Sequence, residues 1–221
     1  FKGGRWAAVP RRALVVLQFS VSMLLIISTV VVFRQIQFAR NRSTGYDRER
    51  LLTLPITVSE FSGRGDILRQ ELLRTGVVSE AARASSPMTQ VWESFTGFSW
   101  PGKDPAFQDD LATISVSYEY GSTIGWQVLE GRDFSRRFAT DSNAMVINEA
   151  TVAYMGLKHP VGTLVKWDDK NYTIIGVVKN MIQESPYGRT RQTVYLLDHD
   201  FNHHFWLMKT KAGVAMADVL P

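Results

Sequence analysis

The sequence has one run of residues that could bind a metal ion, Asp198-His199-Asp200-Phe201-Asn202-His203-His204. Imidazole and carboxylate groups are both ligands of Zn²⁺, so a zinc site is conceivable here. However, the adjacent histidines would point to opposite faces of an extended segment, and no fourth ligand lies at a suitable spacing. The run is more typical of a polar surface turn, and we predict that it binds no metal.

Three short sequences that contain aspartate could bind a ligand, but each also has a purely structural explanation. Asp109-Asp110 and Asp168-Asp169 could bind a cation, but such pairs are more often solvated charges in turns. Arg64-Gly65-Asp66 spells a cell-adhesion tripeptide, although its position in the pattern indicates the start of a helix. We expect none of the three to be a binding site.

The motifs of common enzyme classes are absent from the sequence. It contains no Gly-x-x-x-x-Gly-Lys phosphate loop, no Gly-x-Ser-x-Gly elbow and no His-Glu-x-x-His zinc motif. The lack of cysteine excludes a disulfide scaffold, a thiol nucleophile and cysteine-ligated metals. We therefore predict no catalytic, cofactor-binding or metal-binding residue, and a chain that is neither an enzyme nor an ATPase itself.

The positive charge of the chain comes from its first residues. The 221 residues carry a net charge of +4, while residues 1–33 contain Lys2, Arg5, Arg11 and Arg12 and no acid. The remaining 21 bases and 21 acids balance. Because the body is neutral, it lacks the cluster of phosphate contacts that nucleic-acid binding requires, and we exclude nucleic acid as a partner.

Residues 13–33 form an unbroken stretch of 21 residues without a charge, proline or glycine. As a helix this stretch is about 31 Å long, which matches the apolar core of a bilayer. A signal peptide usually has only about 7–15 apolar residues, and a buried core helix is seldom uncharged for so long. We predict a transmembrane helix over residues 13–33 with a basic flank over residues 1–12.

Charge alone does not orient this helix, because Arg34, Arg40 and Arg42 follow it as closely as the basic residues precede it. Residues 34–50 are predicted to be a stalk and a turn. Gly45 is placed to adopt a left-handed conformation at the end of the helical stalk.

The body alternates short strands with short helices, which predicts an α+β fold. Residues 51–58, 66–75 and 77–85 read as a strand–helix–strand unit, with Pro55 at a sheet edge or bend. The other predicted elements are strands at 113–120, 144–148, 163–167, 172–180, 193–197 and 205–211, and helices at 122–128, 149–155 and 214–220. Strands 163–167 and 172–180 should form a hairpin. The loop over residues 87–107 contains Trp92, Phe95, Phe98 and Trp100, which could form a partner-binding patch but more often cover a small core.

Several stretches of the sequence resemble one bacterial family. They are Arg11–Ser22, Gly45-Tyr46-Asp47-Arg48-Glu49, Trp100-Pro101-Gly102-Lys103-Asp104, Val116–Tyr120, Gly131-Arg132-Asp133-Phe134-Ser135, Val146–Ala150, Met155-Gly156-Leu157, Pro160-Val161-Gly162 and Ile174–Lys179. Together and in this order they resemble the periplasmic core domain of ABC transporter permeases of the MacB/FtsX-like superfamily, in particular the second half of the long Bacteroidetes-type permeases. The family usually continues after the last stretch with Asp-Phe-His-Phe, whereas this chain has Asn180-Met181-Ile182-Gln183.

The resemblance implies a permease subunit of a bacterial ABC transporter, an exporter in most relatives. A separate cytoplasmic ATPase would drive the membrane helices, and the stalk would pass their motion to the periplasmic domain. The implied partners are this ATPase, the lipid bilayer and the other transmembrane helices of the permease, and a periplasmic or outer-membrane partner is left open. Residues 1–12 would lie in the cytoplasm, the helix in the inner membrane and the body in the periplasm.

The resemblance also implies a division of the body, residues 51–221, into two lobes. A porter-like lobe would comprise residues 51–86 and 190–221, and an inserted lobe residues 87–189. The start at Phe1 and the end at Pro221 suggest a segment of a longer permease. The alternative from another class is a membrane-anchored extracytoplasmic sensor domain of a signalling protein, which also needs one span, a stalk and an α+β body.

Overall fold

The computed structural model describes residues 8–41, 44–56, 64–184, 188–197 and 204–214. The chain divides into two units, Phe1–Arg42 and Ser43–Pro221. Parts of two predictions, the histidine run before His204 and the last two residues of the strand at 51–58, lie outside the described residues, as does the predicted helix at 214–220 except for its first residue.

The first unit contains one helix, α1 (Ala8–Asn41), within its described residues. Its stretch Pro10–Arg40 is long and apolar enough to cross a membrane, and none of it is buried. Leucine, isoleucine and valine side chains cover all sides of this helix, which explains why it has no polar face. Thr29 is one of its few polar residues, and its hydroxyl donates a hydrogen bond to the carbonyl of Leu25 at 2.8 Å.

The second unit is built on a mixed sheet, and its fold is α+β as predicted. The described strands are β1 (Leu51–Pro55), β2 (Val78–Ala84), β3 (Ser94–Phe95), β4 (Leu111–Val116), β5 (Val128–Gly131), β6 (Ala144–Asn148), β7 (Leu164–Trp167), β8 (Lys170–Val178), β9 (Thr193–Leu197) and β10 (Phe205–Thr210). Their order is β1-β10-β2-β4-β9-β6-β8-β5, with β3 on β4 and β7 on β8. The pairs β4–β9 and β6–β8 are parallel, and the other pairs are antiparallel.

Three short helices pack on this sheet, α2 (Gly65–Arg74), α3 (Tyr120–Ile124) and α4 (Glu149–Met155), and a 3-10 helix precedes β6 (Ala139–Asn143). The apolar side of α2 covers Trp206 and Met208 of β10. Strands β6 and β9 bury both of their faces, since alternate residues belong to two different apolar clusters. Tyr120 of α3 lies in one cluster and Met155 of α4 in the other, so these two helices cover opposite faces.

In the strand–helix–strand unit at the start of the body, the two strands are not neighbours in the sheet. Strands β1 and β2 run in the same direction, but both pair with β10, which lies between them. Pro55 lies in β1, whose only described partner is β10, so the proline occupies an edge strand as expected. The hairpin of β7 and β8 turns at Asp168 and Asp169, which both have positive φ as a two-residue turn requires.

Two predicted boundaries were wrong because a short helix begins earlier than the pattern indicates. Strand β4 ends at Val116 rather than at Tyr120, and α3 starts at Tyr120 rather than at Ser122. Gly125 adopts a left-handed conformation with φ +64°, and it ends α3 before Val128. Residues from Val128 onward then form β5, a strand that was not predicted because its four residues are all exposed and do not alternate.

The sheet has a narrow place between β2 and β4, where the ladder pairs only Ala84 with Val116. Two further backbone bonds, from Ser85 to Ser115 and from Ser117 to Arg83, extend the connection. The hydroxyls of Ser117 and Ser85 also accept hydrogen bonds from the N–H groups of Arg83 and Ser115. The predicted boundary between the two lobes, at residues 86 and 87, lies directly after β2, next to this short ladder. Strand β9, however, pairs with β4 and β6 on the far side of this place. The two-lobe division stays a prediction.

Candidate functional site at the start of the body

The first described residues of the body, 44–50, are held by three separate parts of the fold, and we call them the anchor segment. The Thr44 carbonyl accepts a hydrogen bond from the N–H of Ile182 at 2.9 Å. The N–H of Asp47 donates to the Ile124 carbonyl at 2.8 Å, at the end of α3. The Arg50 carbonyl accepts from the N–H of Thr210 at 3.0 Å, at the end of β10. Main-chain contacts therefore fix both ends and the middle of the segment.

Gly45 allows the anchor segment to approach the residues after β8. Its φ is +81°, a conformation that side chains disfavour, and a Cβ atom here would overlap the carbonyl oxygen of Asn180. The next residue, Tyr46, packs against the larger apolar cluster. Burial raises the pKa of its phenol, against a smaller opposing effect of Arg48. A predicted left-handed glycine thus serves a close backbone contact, four residues beyond the last residue of α1.

An ion pair closes the other side of the anchor segment. The Lys209 ammonium lies 2.6 Å from Oδ2 of Asp47, and only 13% of the lysine side chain is exposed, against 47% for the aspartate. The hydrogen bond from Lys209 is the largest effect and lowers the pKa of Asp47. Burial opposes it, and the Glu49 N–H and nearby positive charges add smaller lowering effects. The pair attaches the segment to β10 by a side-chain contact as well as by the main chain.

The residues that hold Thr44 are themselves fixed to α4. The Asn180 side-chain oxygen accepts from the N–H of Ala150 at 2.9 Å, and the Asn180 N–H donates to Oε2 of Glu149 at 2.9 Å. Asn148 caps α4 by accepting from the N–H of Thr151, and the same oxygen accepts from Thr193 of β9. These contacts connect the anchor segment to the central strands.

The acidic residues considered as ligands have protein partners in the structure. Asp109 is buried and accepts hydrogen bonds from the N–H groups of Gly97 and Phe98 and from the ammonium of Lys103. Burial acts to raise its pKa, but these donors together lower it. Asp110 lies 3.7 Å from the guanidinium of Arg191. Asp109 therefore organises a loop by its hydrogen bonds.

The remaining candidates are also accounted for within the described residues. Asp66 of the Arg64-Gly65-Asp66 sequence lies in the first turn of α2 and pairs with Arg136 at 2.8 Å. Asp169 lies 3.1 Å from Lys166 across the hairpin turn. His204 contacts the ring of Trp92, with centroids 6.1 Å apart. No group of three or more potential metal ligands occurs in the part of the chain that the structure describes.

The sequence left open whether the aromatic residues of the 87–107 loop cover a core or form a partner-binding patch, and the structure divides them into buried and exposed residues. Phe98 and Trp100 are buried in a core cluster, and the indole of Trp100 donates to the Met155 carbonyl at 3.1 Å. Trp92 and Phe95 are exposed by 53% and 40%. Core packing thus explains two of the four, and the other two lie on the surface.

Asp133 is a largely buried carboxyl group between α3 and the residues after β5. Burial raises its pKa to about 6, although the N–H of Phe134 and the indole of Trp126 stabilise the charged form by hydrogen bonds. The carboxylate fits against Gly121, where any side chain would overlap it. No nucleophile or second carboxylate is hydrogen-bonded to it among the described contacts, so we assign it a structural role.

Comparison with known proteins decides the family. A family profile described as the MacB-like periplasmic core domain matches residues 13–220. The chain belongs to this family. Sequence comparison with curated proteins gives no match. The resemblance found in the sequence motifs is thereby confirmed.

Two solved structures share the fold of this MacB-like domain. One is the periplasmic region of MacB from Actinobacillus actinomycetemcomitans, with a TM-score of 0.54, 12% identity, and coverage of 82% of this chain and 83% of that chain. The other is the extracellular domain of the noncanonic ABC-type transporter YknZ from Gram-positive bacteria, with a TM-score of 0.50, 14% identity, and coverage of 73% and 83%. At this identity the likeness shows the fold. The predicted α+β class is confirmed.

The anchor site of this MacB-like domain comprises residues 44–50 with Ile124, Asn180–Ile182, Lys209 and Thr210. Sequence reasoning found Gly45 but missed the partners, because each is a backbone group or a single lysine far away in the chain.

Proposed function

We propose that this chain is part of the permease subunit of an ABC exporter and that its anchor site transmits motion. In this proposal α1 crosses the bacterial inner membrane with residues 1–12 in the cytoplasm and the body in the periplasm. A separate cytoplasmic ATPase moves the membrane helices, and residues 44–50 pass this motion to the body. The chain itself contributes no catalytic residue.

The observation that carries the proposal is the threefold attachment of the anchor segment. In the sequence, Thr44 comes three residues after the last residue of α1, so the contacts of the segment begin soon after the apolar helix. Segments that only tether a domain need no such contacts, whereas transmission of a displacement requires short, rigid connections. The membership in a family of permease domains supports the same function.

Topology is the first test. Single cysteines are introduced at Lys2 and at Ser43 of the cysteine-free chain, and intact cells are treated with a membrane-impermeant thiol reagent. Labelling only at Ser43 is expected. Labelling only at Lys2 would contradict the orientation, and labelling at both positions would contradict the membrane span.

Coupling is the second test, made on the complete permease purified with its ATPase. We expect ATP to change the hydrogen exchange of residues 180–184, because these residues hold Thr44. The variant Gly45→Ala should keep ATP hydrolysis but lose this change, while Gly156→Ala, at a glycine with open space around it, should keep both. Equal behaviour of the two variants would contradict transmission through the anchor site, and absence of a copurifying ATPase would favour the sensor alternative.

A further inference from the structure

Helix α1 carries positive charge at both of its ends and no negative charge. Its residues Ala8–Asn41 include Arg11 and Arg12 before the uncharged stretch and Arg34 and Arg40 after it, and they include no aspartate or glutamate. All of these arginines are exposed, and none has an ion-pair partner among the residues that the structure describes. In a membrane, the groups that supply the opposite charge at the ends of a helix are lipid phosphates.

The length of the uncharged stretch places these arginines at the depth of the lipid headgroups. The helical rise puts Arg34 about 33 Å from Arg12, and the hydrocarbon core of a bilayer is about 30 Å thick. Arg40 lies in the last turn of α1, where the helix dipole alone favours a cation. Arg34 lies more than one turn before the end of the helix, so the dipole does not explain it.

The polar residues after the uncharged stretch share one side of the helix. Arg34, Gln37 and Arg40 follow one another at steps of three residues, and each step turns the helix by about 60°. Their side chains therefore form one continuous exposed arc in which neighbours are close enough to act on the same group. Guanidinium groups donate pairs of hydrogen bonds to phosphate oxygens, and the amide of Gln37 adds a further donor.

Bulky apolar side chains continue the same side of α1 toward the middle of the helix. Ile26, Val30 and Phe33 lie within the angular range of the polar arc, and all are exposed. They cover about 11 Å of helix length, which corresponds to the upper part of one lipid leaflet. Phosphate donors followed by apolar surface match the order of groups in a phospholipid.

The charge of this side of the helix selects the kind of phospholipid. Arg34 and Arg40 contribute positive charge, and no acidic residue of α1 opposes it. A zwitterionic lipid brings its own cation beside the phosphate, whereas an anionic lipid adds only negative charge. We propose that Arg34, Gln37 and Arg40 bind the headgroup of an anionic phospholipid whose acyl chain lies along residues 26–33, and we call this side of α1 the lipid face.

The lipid face rests on the part of the proposed function in which α1 crosses the membrane, and it is independent of the ATPase and of transmission. It explains how arginines are retained on the side of the membrane where positive charge is usually disfavoured. Their charge is neutralised by a bound lipid.

The test is photo-crosslinking of the chain in phosphatidylcholine nanodiscs. A small share of the lipid is either phosphatidylglycerol or phosphatidylcholine with a photoreactive group in the acyl chain, and the crosslinked residues are mapped by mass spectrometry. Phosphatidylglycerol should give at least about five times the yield of phosphatidylcholine at residues 26–37, since one arginine near an anionic lipid surface contributes about this factor. Equal yields from the two lipids would overturn the proposal.

Two variants remove the same charge from different places. Arg34→Gln should lower the phosphatidylglycerol yield at residues 26–37 about fivefold, while the yield at residues 10–16, next to Arg11 and Arg12, stays unchanged as an internal reference. Arg74→Gln changes an exposed residue of α2 and should keep the wild-type pattern. An unchanged yield in Arg34→Gln, or an equal loss in both variants, would contradict the lipid face.

Two further measurements separate the source of the phosphate and the membrane span. Millimolar glycerol 3-phosphate should leave the crosslinks unchanged, and their disappearance would show that the arginines bind free phosphate instead of a lipid. Thiol labelling at Lys2 and Ser43 reports on the span by itself. If the labelling supports the span and the two lipids give equal yields, the lipid face fails alone, whereas labelling at both positions contradicts the proposed function as well.

Discussion

Replacement of Gly45 by alanine should weaken the attachment of the anchor segment more than any change of similar size elsewhere in the loops. The methyl group meets two separate obstacles. The backbone at this position has φ +81°, and the added Cβ would overlap the Asn180 carbonyl oxygen and come within 3.1 Å of the Met181 Cα. All of these neighbours are main-chain atoms, so they cannot rotate away as a side chain could.

The magnitude follows from these two terms. A left-handed conformation costs an alanine roughly 1–2 kcal/mol. Displacement of packed neighbours adds about 1–3 kcal/mol, so the free energy of unfolding should fall by about 2–5 kcal/mol. Gly156 provides a matched control, because its φ is +66° but no atom lies within 4 Å of the added methyl group. Gly156→Ala should therefore incur only the conformational cost.

The assay is thermal unfolding of both variants, followed by tryptophan fluorescence. The difference between them isolates the contact with residues 180–181, and about 2 kcal/mol of difference corresponds to a Tm gap of roughly 4–8 °C in a body of this size. Hydrogen exchange of residues 180–184 should rise in Gly45→Ala and stay unchanged in Gly156→Ala. Equal Tm values and equal exchange in the two variants would refute the close approach of the two segments.

Three further predictions concern ionisable groups of the body. Because the pKa of Asp47 is lowered in the fold, its pair with Lys209 stabilises the fold above pH ~4, and this stability is lost as the pH falls through the lowered pKa. Lys209→Met should therefore reduce the loss of Tm in acid. An unchanged dependence of Tm on pH in the acid range would contradict the pair. The raised pKa of Asp133, about 6, has the opposite effect on the pH dependence, so the stability of the fold should decrease between pH 4 and pH 7. Asp133→Asn should flatten this dependence of Tm on pH. A wild-type Tm that does not change over this range would contradict the burial of Asp133. Asp109→Ala should lower the free energy of unfolding, measured in urea, by about 3–5 kcal/mol. Lys103→Met should lower it less, because Asp109 then keeps two backbone donors. A larger loss in Lys103→Met would show that the lysine organises the loop.

The sequence predicted those elements whose signals are local. Strand β6 and helix α4 have the predicted bounds, because Asn148 caps the helix and Gly156 ends it in a left-handed conformation. The hairpin was also predicted, since Asp168 and Asp169 are typical residues of a turn. The insertion of β10 between β1 and β2 was not predicted, because pairing between strands more than 100 residues apart leaves no local pattern.

The anchor site shows why functional contacts of this kind escape sequence reasoning. Its strongest bonds join main-chain groups of Thr44, Asp47 and Arg50 to the rest of the body, and a main-chain group has the same chemistry in every residue. Gly45 was recognisable because only glycine tolerates its conformation. Lys209 was one of 25 basic residues, and nothing in its neighbourhood marked it as a partner of Asp47.

The anchor segment is attached on both sides of the narrow place between β2 and β4. Arg50 binds β10 on one side, and Thr44 binds the residues after β8 on the other. Besides the short ladder, the two sides share the larger apolar cluster, which contains Ala82, Ala84 and Leu207 on one side and Ile114, Val116 and Tyr195 on the other. Helix α3 follows β4 but packs against β2 and β10, and the exposed ion pair of Arg136 with Asp66 adds a further contact. Exposed ion pairs contribute only about 0–1 kcal/mol, so the shared apolar cluster and α3 are the main connections between the two sides. Under the proposed function, a displacement of the segment would therefore be applied to both sides of this place at once, through Arg50 on one side and Thr44 on the other.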